Sequence, residues 1–169
     1  ATSTPAKALK KEANRRRKLW DEDSPDKNKA GNRLVIIGYD GDKKYENVPS
    51  YIPGDTIKKV NGKTMTLIEF FVHSPFKDSL VEGRAESDKN VTSIVMQVRF
   101  KKSSSDTKPS ALYLFGGDAD HYIWEEIQNQ SSAHNNGGKL DFDIFLAPHH
   151  CSWTYFNDVP YKKGETDEP

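Results

Sequence analysis

A single cysteine, Cys151, in 169 residues leaves no internal disulfide to form, so the fold must rest on packing, and a reducing compartment is expected. Long apolar runs are missing as well. Nothing approaches the roughly 20 residues that span a bilayer, and the first residues lack the apolar stretch of a signal peptide. The expected setting is therefore cytoplasmic, with no membrane partner. An excess of either charge is also absent, since 25 basic residues face 25 acidic ones. That balance removes any global case for nucleic acid or anionic lipid and leaves only local patches to argue from. Apolar residues make up only 34% of the chain, yet eight Phe, seven Tyr and three Trp supply bulky core material. One domain with a compact core and long polar loops is expected. Asn90-Val91-Thr92 and Asn129-Gln130-Ser131 match the glycosylation triplet, but without a secretion signal both read as chance.

What is present has a clear order. Thr4-Pro5 predicts a capped helix start, and the Ala, Leu, Lys, Glu and Arg that follow predict a basic helix over residues 1–20. Its apolar stripe (Ala6, Leu9, Ala13, Trp20) is thin, and Arg15-Arg16-Arg17-Lys18 fans around the axis as a collar. A solvated helix end explains that collar better than a phosphate cradle does. Residues 21–32 read as a linker loop. Residues 33–39 form a continuous apolar run, expected to be a strand buried on both faces.

Thr56 to Val60, Thr66 to His73 and Val91 to Phe100 are strand-like, with turns at Pro53-Gly54-Asp55 and Asn61-Gly62. In the third strand, Thr92, Ile94, Met96, Val98 and Phe100 are the more apolar set and so the expected core face. Ala111 to Phe115 predicts a short strand. His121 to Gln128 predicts a helix with Ile123, Trp124 and Ile127 on one face, and Leu140 to Ala147 the last strand. Residues 33–161 thus read as one mixed α/β (α+β) unit, strand-rich with flanking helices, followed by a frayed tail at 162–169.

Two strand ends carry chemistry. In Leu114-Phe115-Gly116-Gly117-Asp118 the glycines let the backbone turn sharply and present a carboxylate. In Phe145-Leu146-Ala147-Pro148-His149-His150 a strand delivers two imidazoles. Carboxylate plus imidazole is a ligand set of hydrolytic Zn²⁺, Mn²⁺ or Fe sites. If the strands are parallel neighbours joined by the Trp124 helix, both tips share one sheet edge, where α/β sheets usually keep their sites. Plainer readings stand beside this one. Asp118 serves equally as the N-cap of the next helix, and the histidines as polar turn residues. Adjacent residues of an extended chain point to opposite sides, so at most one of His149 and His150 should face a given metal.

The order strand, Gly-Asp-Ala, helix, strand, Pro-His-His-x-Ser resembles the C-terminal half of metallo-β-lactamase-fold hydrolases, in particular the β-lactamase-like domain of competence DNA-uptake proteins and its bacterial relatives. In that branch an Asn-x-x-Ser strand precedes Gly-Asp, matched here by Asn90-Val91-Thr92-Ser93. The resemblance runs from about Ile52 to Phe156 and rests on several motifs recurring in order. It implies half of a four-layer αββα sandwich with a two-metal edge that binds zinc, with Mn or Fe as alternatives. It also implies Asp118 and His149 as metal ligands, with His150 the second choice, and all three as catalytic residues. His73 reads as a turn or edge residue, His121 as a helix-start surface residue, and His134 as a loop residue.

The family's main metal motif, His-x-His-x-Asp-His, has no counterpart among the five histidines here. Catalytic zinc takes about three protein ligands plus an open water position, so Asp118 and one histidine fall short. Where the family usually has glycine this chain has Cys151, by default a packed thiol. A thiol nucleophile with His150 as its base is disfavoured, because sequence neighbours do not easily share the required hydrogen bond. The leading expectation is the C-terminal portion of a metal-dependent hydrolase, acting on a phosphodiester and needing an N-terminal half that is cleaved, separate or outside this sequence. The rival is a non-catalytic half-domain that binds a protein partner and exposes a large apolar face where that partner docks. A homo-oligomer stays open as a further partner.

Overall fold

The computed structural model describes residues 3–39, 41–60, 62–80 and 90–152. The fold is mixed α+β. Helix α1 (Thr4–Asp21) is followed by short strands β1 (Ile36–Ile37), β2 (Ser50–Tyr51), β3 (Thr56–Ile57), β4 (Lys59–Val60) and β5 (Lys63–Thr64). Longer strands β6 (Ile68–Ser74), β7 (Val95–Phe100) and β8 (Ala111–Phe115) come next, then helix α2 (His121–Ala133) and strand β9 (Ile144–Leu146). The main sheet has five strands in the order β3-β6-β7-β8-β9, antiparallel except for the parallel pair β8–β9. The expected tail at 162–169 lies outside the described residues. No helix among the described residues is long and apolar enough to cross a membrane.

Helix α2 crosses one face of the sheet and makes the core. Val95, Leu114, Ala119, Ile123, Trp124 and Ile127 are buried together, with Phe76, Val91, Leu140 and Phe145 packed around them. The Trp124 and Phe145 rings meet edge to face at 5.6 Å. Burying each of the large α2 side chains contributes about 1.5–3 kcal/mol. The strand register puts Ile57, Phe70, Val72, Met96, Val98, Tyr113, Phe115, Ile144 and Leu146 on the opposite face, an apolar layer without a charge. That layer is closed near Val72 and Val98 and open toward β9, where Phe115 is 38%, Ile144 51% and Leu146 59% exposed.

Several expectations need correction. The run 33–39 is not a strand buried on both faces. Only Ile36–Ile37 pairs, in parallel with Ser50–Tyr51, and Val35 is exposed. The partner strand lies between Pro49 and Pro53, and proline has no N–H to extend a ladder. The segment 56–60 divides at Lys58 between two sheets. The strand expected from Val91 begins at Val95, after a 3₁₀ turn at Asn90–Thr92.

The core face expected of that strand is buried only at Val98, and the other face is buried as well. Val95 and Gln97 are fully buried under α2, while Ile94 and Phe100 are exposed. Gln97 is tolerated there because its amide donates to the carbonyls of Asp141, at 2.7 Å, and Gly138, at 3.4 Å. The arginine collar is more than a solvated helix end. Arg15 donates to the Gly31 carbonyl and Asn32, Arg16 to the Arg33 carbonyl, and Arg17 to the Lys44 carbonyl. Glu12 accepts from Arg15 and Arg16, and those bonds hold its carboxyl down at about 2.

His73 is neither a turn nor an edge residue. It is buried at the bulge of β6, a strand flanked by β3 and β7, and its Nε2 donates to the Lys139 carbonyl at 2.9 Å. Burial pushes its pKa below the ordinary 6.5. A histidine that resists protonation in the fold stabilises it fully above its unfolded pKa, and that contribution is lost as pH falls through the lower folded value. Unfolding free energy should therefore decline as pH drops below about 6.5, measured by urea titration across the pH range. His73→Gln, which keeps a donor but cannot titrate, should flatten that part of the profile.

Candidate metal site at two strand ends

The site is built from the backbone outward. β8 and β9 lie side by side in parallel, so Phe115 and Leu146 are paired neighbours and the chain leaves both strands at one edge. At Gly116 a β-carbon would sit 2.7 Å from Pro148 Cβ and 3.1 Å from Trp124 Cζ2, so only glycine lets the two exits close on each other. Gly117 has φ +56°, and a β-carbon there would lie 2.9 Å from the Ile94 carbonyl oxygen. The chain then bends into Asp118, fully buried Ala119, and Asp120. Asp120, not Asp118, caps α2, its Oδ1 accepting from the Ile123 N–H at 3.3 Å. The capping role considered for Asp118 is thereby filled by its neighbour, which leaves the Asp118 carboxylate to the site.

Past Pro148 the chain is not extended. His149, His150 and Cys151 have φ of 49°, 54° and 61°, three successive left-handed residues without a glycine. Such conformations cost of order 1 kcal/mol each and persist only where surroundings enforce them. Here the His149 N–H donates to the Gly117 carbonyl at 2.9 Å, and the Ser152 N–H closes back on the His149 carbonyl at 2.8 Å. The alternation expected of an extended His-His pair therefore does not apply.

This turn brings His150 Nε2 to 3.4 Å from Asp118 Oδ1, with His150 88% and Asp118 53% exposed. The His149 and His150 rings stand 6.5 Å apart by centroid. His150, the second choice from sequence, is the histidine that meets Asp118. Two donors each about 2.1 Å from one tetrahedral ion lie about 3.4 Å apart, so the separation suits a shared divalent cation. It suits a carboxylate–imidazolium pair equally. Among the described residues no group of three or more His, Cys, Asp and Glu side chains could hold a metal. The described residues therefore offer two donors of the right type and no complete ligand set. Cys151 is exposed, not a packed thiol. His121 packs against Tyr122, and His134 Nδ1 bonds the Gln130 carbonyl at the far end of α2.

One residue of this edge was not anticipated. Ser74 is fully buried; its Oγ donates to the Ser93 carbonyl at 2.6 Å and accepts from the Val95 N–H at 3.1 Å. It ties the end of β6 to the start of β7, just where Ser93 and Ile94 back Gly117. The available signal was a serine before proline at a strand end. Comparison with protein families, with curated proteins and with solved structures finds no match to this chain.

Gly117→Ala should destabilise the protein by about 1–3 kcal/mol, combining a strained φ with a backbone clash. Gly137→Ala, where a β-carbon meets nothing within 4 Å, should change stability by less than about 0.5 kcal/mol. Urea unfolding of the two variants checks the difference.

Proposed function

We propose that this chain supplies one β-layer and part of the metal site of a metal-dependent hydrolase, the remaining ligands coming from a second β-layer docked on its open apolar face. The observation that carries this reading is the meeting of Asp118 and His150 at 3.4 Å, at the rim of a sheet whose uncovered face exposes Phe115, Ile144 and Leu146. Exposed apolar layers of this kind mark interaction surfaces, and packed sheets bury such faces against each other. The second layer belongs to a partner chain, to further sequence of the same polypeptide, or to a second copy.

In the assembly Asp118 and His150 would hold the metal, zinc by donor type with Mn or Fe as alternatives, and the His149 backbone would keep their turn in place. A metal so held lowers the pKa of bound water to about 7 and polarises the scissile bond. A phosphodiester is the substrate class, on the family resemblance alone, and a cytoplasmic setting fits the single cysteine. A second reading, partner binding without catalysis, is favoured by one observation: the described residues offer two donors where catalytic zinc takes about three.

Metal content of the assembled protein after dialysis separates the two. Asp118→Ala and His150→Ala should each weaken zinc binding at least about tenfold, and His134→Ala should leave it unchanged. Undiminished zinc in the Asp118 variant, with the assembly intact, would leave partner binding as the function.

A further inference from the structure

Helix α1 lies against the segment around β1 without burying a single residue. The reason is in its inward face. Lys10, Ala13, Asn14 and Arg17 fall at i, i+3, i+4 and i+7, one side of a helix, and that side is polar and cationic. Opposite stands the apolar run Leu34 to Ile37. A charged helix face does not close onto an apolar wall, and a groove of about 510 Å³ remains between them. This volume lies in the range of about 300–1,000 Å³ common for small-molecule sites.

The polar wall is of one sign. Lys10, Arg17 and Lys44 line the groove, and no carboxylate does so among the described residues. Arg17 reaches Asp21 and the Lys44 carbonyl through Nη1, but its Nε is buried without a hydrogen-bond partner. One wall therefore asks for an alkyl group and the other for an anion.

We propose that this groove binds a free single-chain amphipathic carboxylate, with its alkyl tail along Leu34 to Ile37 and its head group at Lys10 and Arg17. The site is separate from the Asp118–His150 edge and does not depend on the function proposed for it.

Calorimetric titration of the whole chain with decanoate tests the proposal. Saturable binding of one equivalent is expected. Acetate, which lacks the tail, and decyltrimethylammonium, which carries the opposite head group, should not bind over the same concentrations. Lys10→Glu should weaken decanoate at least about tenfold, the size of a charge-assisted contact. Ala13→Leu, which fills the groove while keeping a strong helix former, should weaken it comparably. The proposal is overturned if decanoate shows no saturable binding or if decyltrimethylammonium binds as well. It is overturned equally if both variants bind like the parent, or if phosphatidylglycerol vesicles bind and free decanoate does not.

Discussion

The packing of α2 on the sheet is the constraint from which the rest of the arrangement follows. Two strands cannot lie in parallel as neighbours unless the chain returns to its starting edge between them, and here that return is made by α2. Its 13 residues span about 20 Å, enough to run back along the length of β8. Ile123, Trp124 and Ile127 lock it in place over Val95 and Leu114. Because β8 and β9 then leave the sheet together, Asp118 and His150 arrive at one edge although 32 positions separate them in the chain. Gly116 is where this packing reaches the site, since Pro148 from one exit and Trp124 from the helix both occupy the space its side chain would take.

The sheet's two faces are finished to different degrees. One is covered by α2, and there the Gln97 amide nitrogen donates to the chain that leads into β9. The other is apolar throughout but bare toward β9, a three-residue edge strand. A bare apolar edge of this kind is a liability for a protein alone and an asset for one with a partner layer. The strained His149–Cys151 turn stands beside it. Three left-handed residues without a glycine hold that turn, closed by the His149 and Ser152 backbone hydrogen bonds.

Much of the fold was legible from residues in a row. The Ile123, Trp124, Ile127 spacing announced α2, and the two strand ends announced the edge where the carboxylate and imidazole meet. What escaped was decided by non-local events. The 33–39 run looks like a core strand, but prolines around its partner confine pairing to two residues. The polar-looking face of β7 is buried as well because α2 lies over it and the Gln97 amide nitrogen donates to the Asp141 and Gly138 carbonyls. The choice between His149 and His150 depended on three left-handed residues, which no propensity of His-His-Cys announces. Asp120 rather than Asp118 capped the helix, a difference of two positions that leaves the Asp118 carboxylate beside His150.

In the proposed function, Asp118 and His150 are two corners of a divalent-metal site. Imidazole-nitrogen NMR of the labelled chain under zinc titration tests it most directly, since it follows each of the five histidines separately. The His150 Nε2 resonance should respond first, and Asp118→Ala should suppress the response. A first response at His73 or His134, or a His150 response indifferent to loss of the Asp118 carboxylate, would contradict it.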